Sequence, residues 1–444
     1  AQEMDFEFVF RNDFVVTQQD AQVAKKQMED ENVDFLLVQS TSFSSGYLIQ
    51  QFAQASAFLG LWAVPESTKY GPLPLNSFCN MNLNMSQLDR FLSYLKKDAK
   101  WFYGYPKDEI FKKRFTTTLR ALRAIKNIFG SRFLLIGGRA PGFDNLFYDP
   151  RILKEKLRIS VDEMEFGDLK TRFLSHSSEQ LRDLIAEIEL NYTIKDEYAK
   201  NSLEKMARLI LTVRQLKEEG NYDGFAISCW PRFRIELGMV PCASYAFLSD
   251  EMNTTVCEGD VISLVSMKIL EYIADYPAIL MDLSDVDFSD NSIFLWHCGI
   301  GSKFYAKDKK IELEKHFNPG PKDPEKGWLT MAPVASMKFL EIPVTISRIT
   351  NNLNEYFVLT GEFFDSQDKP DYDGSRGWLG KLKFFEEDIT TLDLINTIMV
   401  NKIEHHFPLV KGNYTSEIIE FMNWLGFDKI PKIQYKDYYQ RRHR

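Results

Sequence analysis

Short apolar runs alternate with longer amphipathic stretches through the first third of the chain. Residues 6–10 form a brief apolar run, and 17–31 are polar with helical spacing before the apolar run 33–38. Helix-compatible sequence at 47–58 leads into an apolar strand pattern at 61–64. The spacing predicts further helices over 85–97 and 115–129, and a strand at 133–136 closed by Gly137 and Gly138. Apolar runs that alternate with amphipathic helices are the pattern of βαβ units and a mostly parallel sheet.

The pattern then restarts. Residues 158–161 read as a strand, and 177–220 carry apolar residues at Leu181, Ile185, Ile188, Leu203, Met206, Leu209 and Ile210. That period fits helices that pack one face on a sheet. A buried strand is expected at 222–228. Beyond about 274, Pro, Gly and aromatic residues become frequent and the apolar runs shorten to 293–296, 344–349, 356–360 and 379–384. This texture predicts strands joined by long loops. Residues 307–326, with charge runs, read as a surface loop, and Thr415 and Ser416 open a terminal helix stopped by Gly426. The expected fold is α/β. Two Rossmann-like α/β domains with parallel sheets (about 1–155 and 156–275) precede a β-rich, barrel-like C-terminal domain (276–444).

Composition narrows the class. At 44% hydrophobic and 26% charged, the 444 residues match a soluble globular chain and exclude collagen-like or disordered sequence. No run of about 18 uncharged apolar residues occurs, so no membrane span is expected. The N-terminal sequence lacks a basic segment followed by an apolar one, so no secretory leader is expected either. A net charge of −9 offers no general attraction to nucleic acid or anionic lipid. The tail Gln440–Arg444 is basic, but reads as a frayed end. Five scattered Cys without a C-x-x-C pair support no zinc knuckle, and reduced thiols in a cytoplasmic protein are expected.

Candidate chemistry gathers at the ends of expected strands. The segment from Cys229 to Cys242 follows a buried strand, where open α/β sheets bind ligands. In it, Trp230 and Phe233 are candidate pocket walls, while Arg232, Arg234 and Glu236 are either ligand contacts or surface charges. Glu258 and Asp260 flank Gly259 ahead of an apolar helix, and Asp260 reads as its N-cap. Asp282 and His297 end successive apolar runs, where an acid and an imidazole are costly unless paired, solvated or bound to a cation. His405 and His406 precede another apolar run, and on a strand only one of them would face a common site. Carboxylates with imidazole suit Mn²⁺, Mg²⁺, Co²⁺ or Zn²⁺, oxygen-rich sets leaning to Mn²⁺ and Mg²⁺. Dinucleotide, P-loop, nucleophile-elbow and H-E-x-x-H motifs are absent, and 137–142 support at most a tight loop or an anion contact.

These residues resemble the L-fucose isomerase and L-arabinose isomerase superfamily of metal-dependent sugar ketol-isomerases. The similarity is strongest from Tyr222 to Asp260 and continues through Met281-Asp282, Phe294–Cys298 and the late His pair. Ser44-Ser-Gly46, 72–76 and 135–139 resemble the family's first domain. The resemblance implies that Glu258 and Asp282 are metal ligands and proton carriers, with His297 and His406 as further ligands and His405 as the alternative to His406. It implies a Mn²⁺-dependent enediol isomerisation of a sugar, with Arg376 as a candidate polar contact. It also implies a homo-oligomer, a hexamer first, with active sites near subunit interfaces. The loops 307–326 and 366–380 match neither named enzyme. A non-catalytic sugar-binding protein on this fold, or an epimerase or retro-aldol enzyme acting on a modified sugar, stays open at the level of sequence.

Overall fold

The computed structural model describes residues 6–442 except 91, 310, 319 and 326. The chain divides into two compact units, Ala1–Leu122 and Arg123–Arg444.

The first unit holds a three-stranded parallel sheet of β1 (Phe35–Ser40), β2 (Phe58–Ala63) and β3 (Ala99–Tyr103), with β2 central. The helix Gln18–Asp30 starts at a capping box in which the Thr17 and Asp20 side chains each bond the other's backbone N–H. Its Ala21, Ala24 and Met28 share the core with Leu59, Leu61 and Met81. The helix expected over 85–97 lies earlier, at Ser77–Arg90. Its first turns bury the polar Ser77, Asn80 and Asn84 around a single apolar Met81, which hides its start from a hydrophobic pattern. Two of them are held by tertiary bonds: the Ser77 hydroxyl donates to the Ser40 carbonyl, and Asn80 Nδ2 donates to the Ser44 carbonyl at 2.9 Å. Residues 6–10 form no strand, and Phe8 and Phe10 stack on each other in solvent.

The second unit opens with a four-stranded parallel sheet. Its strands are β4 (Arg132–Ile136), β5 (Ser160–Met164), β6 (Gly224–Ile227) and β7 (Thr255–Val256), in the order β5-β4-β6-β7. β4 lies before the boundary expected near 155, yet it pairs with β5 and β6. The helix Leu203–Gly220 buries Met206, Leu209, Ile210 and Val213 and ends where Asn221 turns left-handed.

Six strands then close a barrel. They are β8 (Ile279–Asp287), β9 (Ser292–His297), β10 (Pro343–Ile349), β11 (Glu355–Phe364), β12 (Ser375–Phe384) and β13 (His406–Lys411). Every neighbouring pair around the ring β8-β9-β12-β11-β10-β13 is antiparallel, and β13 returns to β8. Closure leaves no free edge in this ring. The expected α/β class with a barrel-like C-terminal part is thus the observed one. The segment read as a surface loop, 307–326, contains the strand Glu312–Glu314, inserted beside Val334–Lys338. Ile311, Leu313 and His316 are buried there, a run too short for periodicity to reveal. The nearly all-buried helix Val261–Ala274 connects β7 to the barrel and packs on β13 and β10. No helix among the described residues is long and apolar enough to cross a membrane.

Candidate active site

The carboxyl end of β7 meets the start of β13. Cys257 and Glu258 follow β7 directly, the position at which parallel sheets present ligand-binding loops. Glu258 has φ +61°, a left-handed backbone uncommon for a residue with a Cβ and a frequent mark of functional loops. The loop is clamped: Ala140 N–H donates to the Glu258 carbonyl at 3.0 Å, and Gly259 N–H to the Ile227 carbonyl at 3.3 Å. Gly259 is required by both conformation and space. Its φ is +69°, and a Cβ there would lie 2.4 Å from the Gly138 carbonyl oxygen. The Gly137-Gly138 turn therefore supports Glu258; no anion is needed to explain it.

Barrel closure supplies the histidines. β13 pairs with β8 so that His406 stands directly opposite Asp282, and β9 places Trp296 opposite Asp282 on the other side. Both late histidines reach Glu258, at 3.1 Å from His405 Nε2 and 3.5 Å from His406 Nε2 to Oε2. The expectation that only one could do so is corrected. β13 begins at His406, so the strict alternation of a strand does not extend back to His405. His405 is braced by Asn145, whose Nδ2 donates to Nδ1 at 3.3 Å, and by the Phe143 ring at 5.7 Å. Burial opposes a charge on His405, but the bond to Glu258 and the fields of Asp282 and Asp260 outweigh it and raise its pKa.

Asp260 does more than cap. It accepts Ser263 N–H at 3.0 Å as an N-cap, and its Oδ2 also accepts His406 Nδ1–H at 2.8 Å and Arg348 Nη1 at 2.8 Å. Asp260 and Arg348 are both fully buried. Burial alone would raise the Asp260 pKa, yet the Arg348 guanidinium and the His406 imidazole hold it far below the usual carboxylate range. Because Asp260 accepts at Nδ1, the His406 Nε2 lone pair points to Glu258 and Cys257.

His297 is buried at the end of β9, 3.3 Å from Cys257 Sγ through Nε2. Asp282 Oδ1 is buried with no hydrogen-bond partner among the described residues. Glu258, His405 and His406 thus bring donor atoms within 4.8 Å of one another, as do Cys257, His297 and His406, and Asp282 stands opposite His406 across the β8–β13 pairing. Sequence reasoning treated Cys257 only as a scattered thiol, and its position beside Glu258 was the available signal.

The remaining candidates have other partners. Phe233 is fully buried with its edge on Phe166, a core position, not an open wall. Trp230 is 43% exposed, with the Arg234 guanidinium 4.7 Å from its ring centroid. Arg232 pairs with Glu236 at 2.8 Å. Arg376, opposite Trp296 in the neighbouring strand, is engaged by Asp371, the Gly374 carbonyl and Ser336. Arg234 and His316 form a second buried layer with Cys242 and Cys298, where burial and Arg234 pull the His316 pKa down to about 3.

The fold and this cluster describe an α/β-and-barrel protein with a carboxylate–imidazole site at a strand terminus. No family model matches the chain. Among curated proteins, a sulfoquinovose isomerase of Priestia aryabhattai is 24% identical over 406 residues, 89% of this chain and 85% of the relative. One from Alkalicoccus urumqiensis is 25% identical over 392 residues, 87% and 83% of the two chains. A third, from Clostridium sp. (strain MSTE9), is 23% identical over 292 residues, 64% and 63%.

Proposed function

We propose that this chain is an aldose–ketose isomerase acting on a modified sugar, in its finer form a metal-dependent isomerase of a sulfonated aldose. The observation that carries the reading is that His405 and His406 both reach Glu258, with Asp282 opposite His406 in the neighbouring strand. Relatives named as sulfoquinovose isomerases, aligned over most of the chain, support the substrate class. The reaction type agrees with the resemblance to the L-fucose and L-arabinose isomerases.

The residues fit a divalent cation. Asp282 offers a buried oxygen with no hydrogen-bond partner among the described residues, Glu258 a carboxylate oxygen and His406 a nitrogen whose ring is oriented by Asp260. Glu258, Asp282 and His406 would hold the ion, with His297 adjacent. When bound, such an ion supplies Lewis-acid stabilisation of the negative charge that develops on the sugar carbonyl. Glu258 takes the proton from the carbon beside the carbonyl and returns it to the carbonyl carbon, giving an enediol between the two steps. His405, bonded through Nε2 to Glu258 and held by Asn145, aims that carboxylate. Asp282 moves the hydroxyl proton. The two carboxylates divide the work because their surroundings differ: Glu258 touches two imidazoles, whereas Asp282 has an oxygen without a hydrogen-bond partner among the described residues.

The test is incubation with Mn²⁺ and a panel of aldoses that includes sulfoquinovose, glucose, L-fucose and L-arabinose, in D₂O. NMR should show conversion of the sulfonated sugar to its ketose, with deuterium incorporated at the transfer carbon. No interconversion of any sugar with Mn²⁺, Mg²⁺, Co²⁺ or Zn²⁺ would refute the proposal. We further propose a homo-oligomer, for which exposed Phe78, Trp101 and Tyr103 of the first unit are candidate interface residues. Light scattering that reports an active monomer would overturn that part.

A further inference from the structure

Cys257, His297 and His406 form a second donor set, which shares His406 with the proposed carboxylate site. All three are buried, at 3%, 4% and 1% exposure. Cys257 Sγ lies 3.3 Å from His297 Nε2 and 3.9 Å from His406 Nε2, and the three donor atoms all fall within 4.8 Å of one another. A tetrahedral ion with Zn–S about 2.3 Å and Zn–N about 2.05 Å needs a sulfur–nitrogen separation of about 3.6 Å. The two observed sulfur–nitrogen separations bracket that value.

Protons can be accommodated as well. His406 keeps its proton on Nδ1, toward Asp260, so Nε2 is free. His297 Nδ1 accepts Cys298 N–H at 2.9 Å, so its proton stands on Nε2 toward Cys257, and coordination through Nε2 moves that proton to Nδ1, where Cys298 Sγ at 3.3 Å takes the place of the lost backbone bond. Coordination replaces the Cys257 S–H bond by a metal–sulfur bond and releases one proton to solvent, with no change of oxidation state.

We propose that Cys257, His297 and His406 form a binding site for a soft divalent cation, Zn²⁺ or Cd²⁺, that excludes the hard cation expected at Glu258, Asp282 and His406. Thiolate and imidazole select soft and borderline ions, whereas carboxylate oxygens select Mg²⁺ and Mn²⁺. His406 Nε2 stands between the two sets, 3.9 Å from Cys257 Sγ and 3.5 Å from Glu258 Oε2, and it has a single lone pair to give. Occupation of the soft site therefore removes a ligand from the hard one. The soft site itself stands without the isomerase reading; only its effect on turnover rests on that reading.

The experiment titrates Cd²⁺ into the full chain carrying Cys79→Ser, which removes the exposed thiol. Ultraviolet difference spectra report the cadmium–thiolate charge-transfer band, and Mn²⁺ binding is followed by electron paramagnetic resonance. We expect one thiolate-ligated Cd²⁺ per chain, and release of bound Mn²⁺ in parallel. The band should disappear in Cys257→Ser and persist in Cys242→Ser and Cys298→Ser. Circular dichroism establishes that each variant is folded, and His297→Gln, expected to weaken Cd²⁺ at least tenfold while retaining the thiol, gives a second reading if Cys257→Ser is not. Absence of the band, its loss only in the Cys242 or Cys298 variants, or Mn²⁺ retention with Cd²⁺ bound would overturn the proposal. Failure of turnover with a normal Cd²⁺ band would instead count against the isomerase reading.

Discussion

Asp260→Asn tests the buried support of the site most directly. The carboxylate accepts from Ser263 N–H, Ser263 O–H, both Arg348 Nη atoms and His406 Nδ1. An amide has one oxygen with two acceptor positions and an NH₂ that can only donate. At least one of the Arg348 and His406 donors must then face another donor in a fully buried position. Breaking one side of a buried ion pair costs about 3–5 kcal/mol. Arg348 keeps Asn351 Oδ1 at 2.5 Å and Glu404 Oε2 at 3.5 Å, which places the expected loss toward the lower end. The functional effect is separate. If the amide NH₂ faces Nδ1, the His406 proton moves to Nε2, the atom aimed at Glu258, and the imidazole no longer offers a lone pair there. Loss of such an orienting partner costs about 10–100-fold in metal affinity. Urea unfolding and Mn²⁺ titration of the wild type and the variant measure the two effects. The Asp260 pKa is lowered on folding, so its stabilisation is present above the ordinary carboxylate pKa of about 3.9 and fades as pH falls toward the folded value. The stability gap should hold from pH 8 to about 5 and narrow in acid. A variant within 1 kcal/mol of the wild type at pH 7 that binds Mn²⁺ equally well would refute this account of the network.

Gly259→Ala should cost about 2–5 kcal/mol and lower turnover together, since the added Cβ meets the Gly138 carbonyl at 2.4 Å with φ at +69°; an unchanged urea midpoint would refute the clamp on Glu258. Glu258→Gln and Asp282→Asn should fold and bind sugar yet lose at least about 10²-fold in turnover at saturating Mn²⁺, and full rescue by metal would show a ligand role alone. Asp250 has the opposite linkage sign to Asp260. Burial raises its pKa to about 6, only partly offset by Ser302 O–H and Lys303 N–H, so it lowers stability once pH exceeds the unfolded value. Asp250→Asn should therefore be more stable than the wild type by about 1–3 kcal/mol at pH 8, with the gain vanishing near pH 4; a loss at pH 8 in thermal unfolding would contradict this.

How much of this was legible differs between elements. Alternating runs marked β4, β6 and the helix Leu203–Gly220, because a buried strand and a one-faced helix leave periods that any chain must obey. The helix Ser77–Arg90 starts before the expected 85–97 because Ser77, Asn80 and Asn84 make much of its buried face polar, with Ser77 and Asn80 held by tertiary hydrogen bonds. Asp282 and His297 stand out as costly groups at the ends of apolar runs, whereas Glu258 is singled out by the family resemblance. Phe233 stood out equally and is core, since an aromatic side chain looks the same in a wall and in a packed interior.

The α/β class, the barrel-like C-terminal part and the types of donor available are written in the order of residues along the chain. These follow from local periodicity and from the cost of burying charge. Only the tertiary structure decided which donors meet. Closure of the barrel sets His406 opposite Asp282, from segments far apart in the chain, and the clamp at Gly259 turns Glu258 toward both histidines. Asp260 acquired its second role in the same way, because an N-cap is a local feature whereas Arg348 and His406 reach it only through packing of β10 and β13 on the helix Val261–Ala274. Periodicity records which face a residue takes; it carries no information about the partner on the other side of that face.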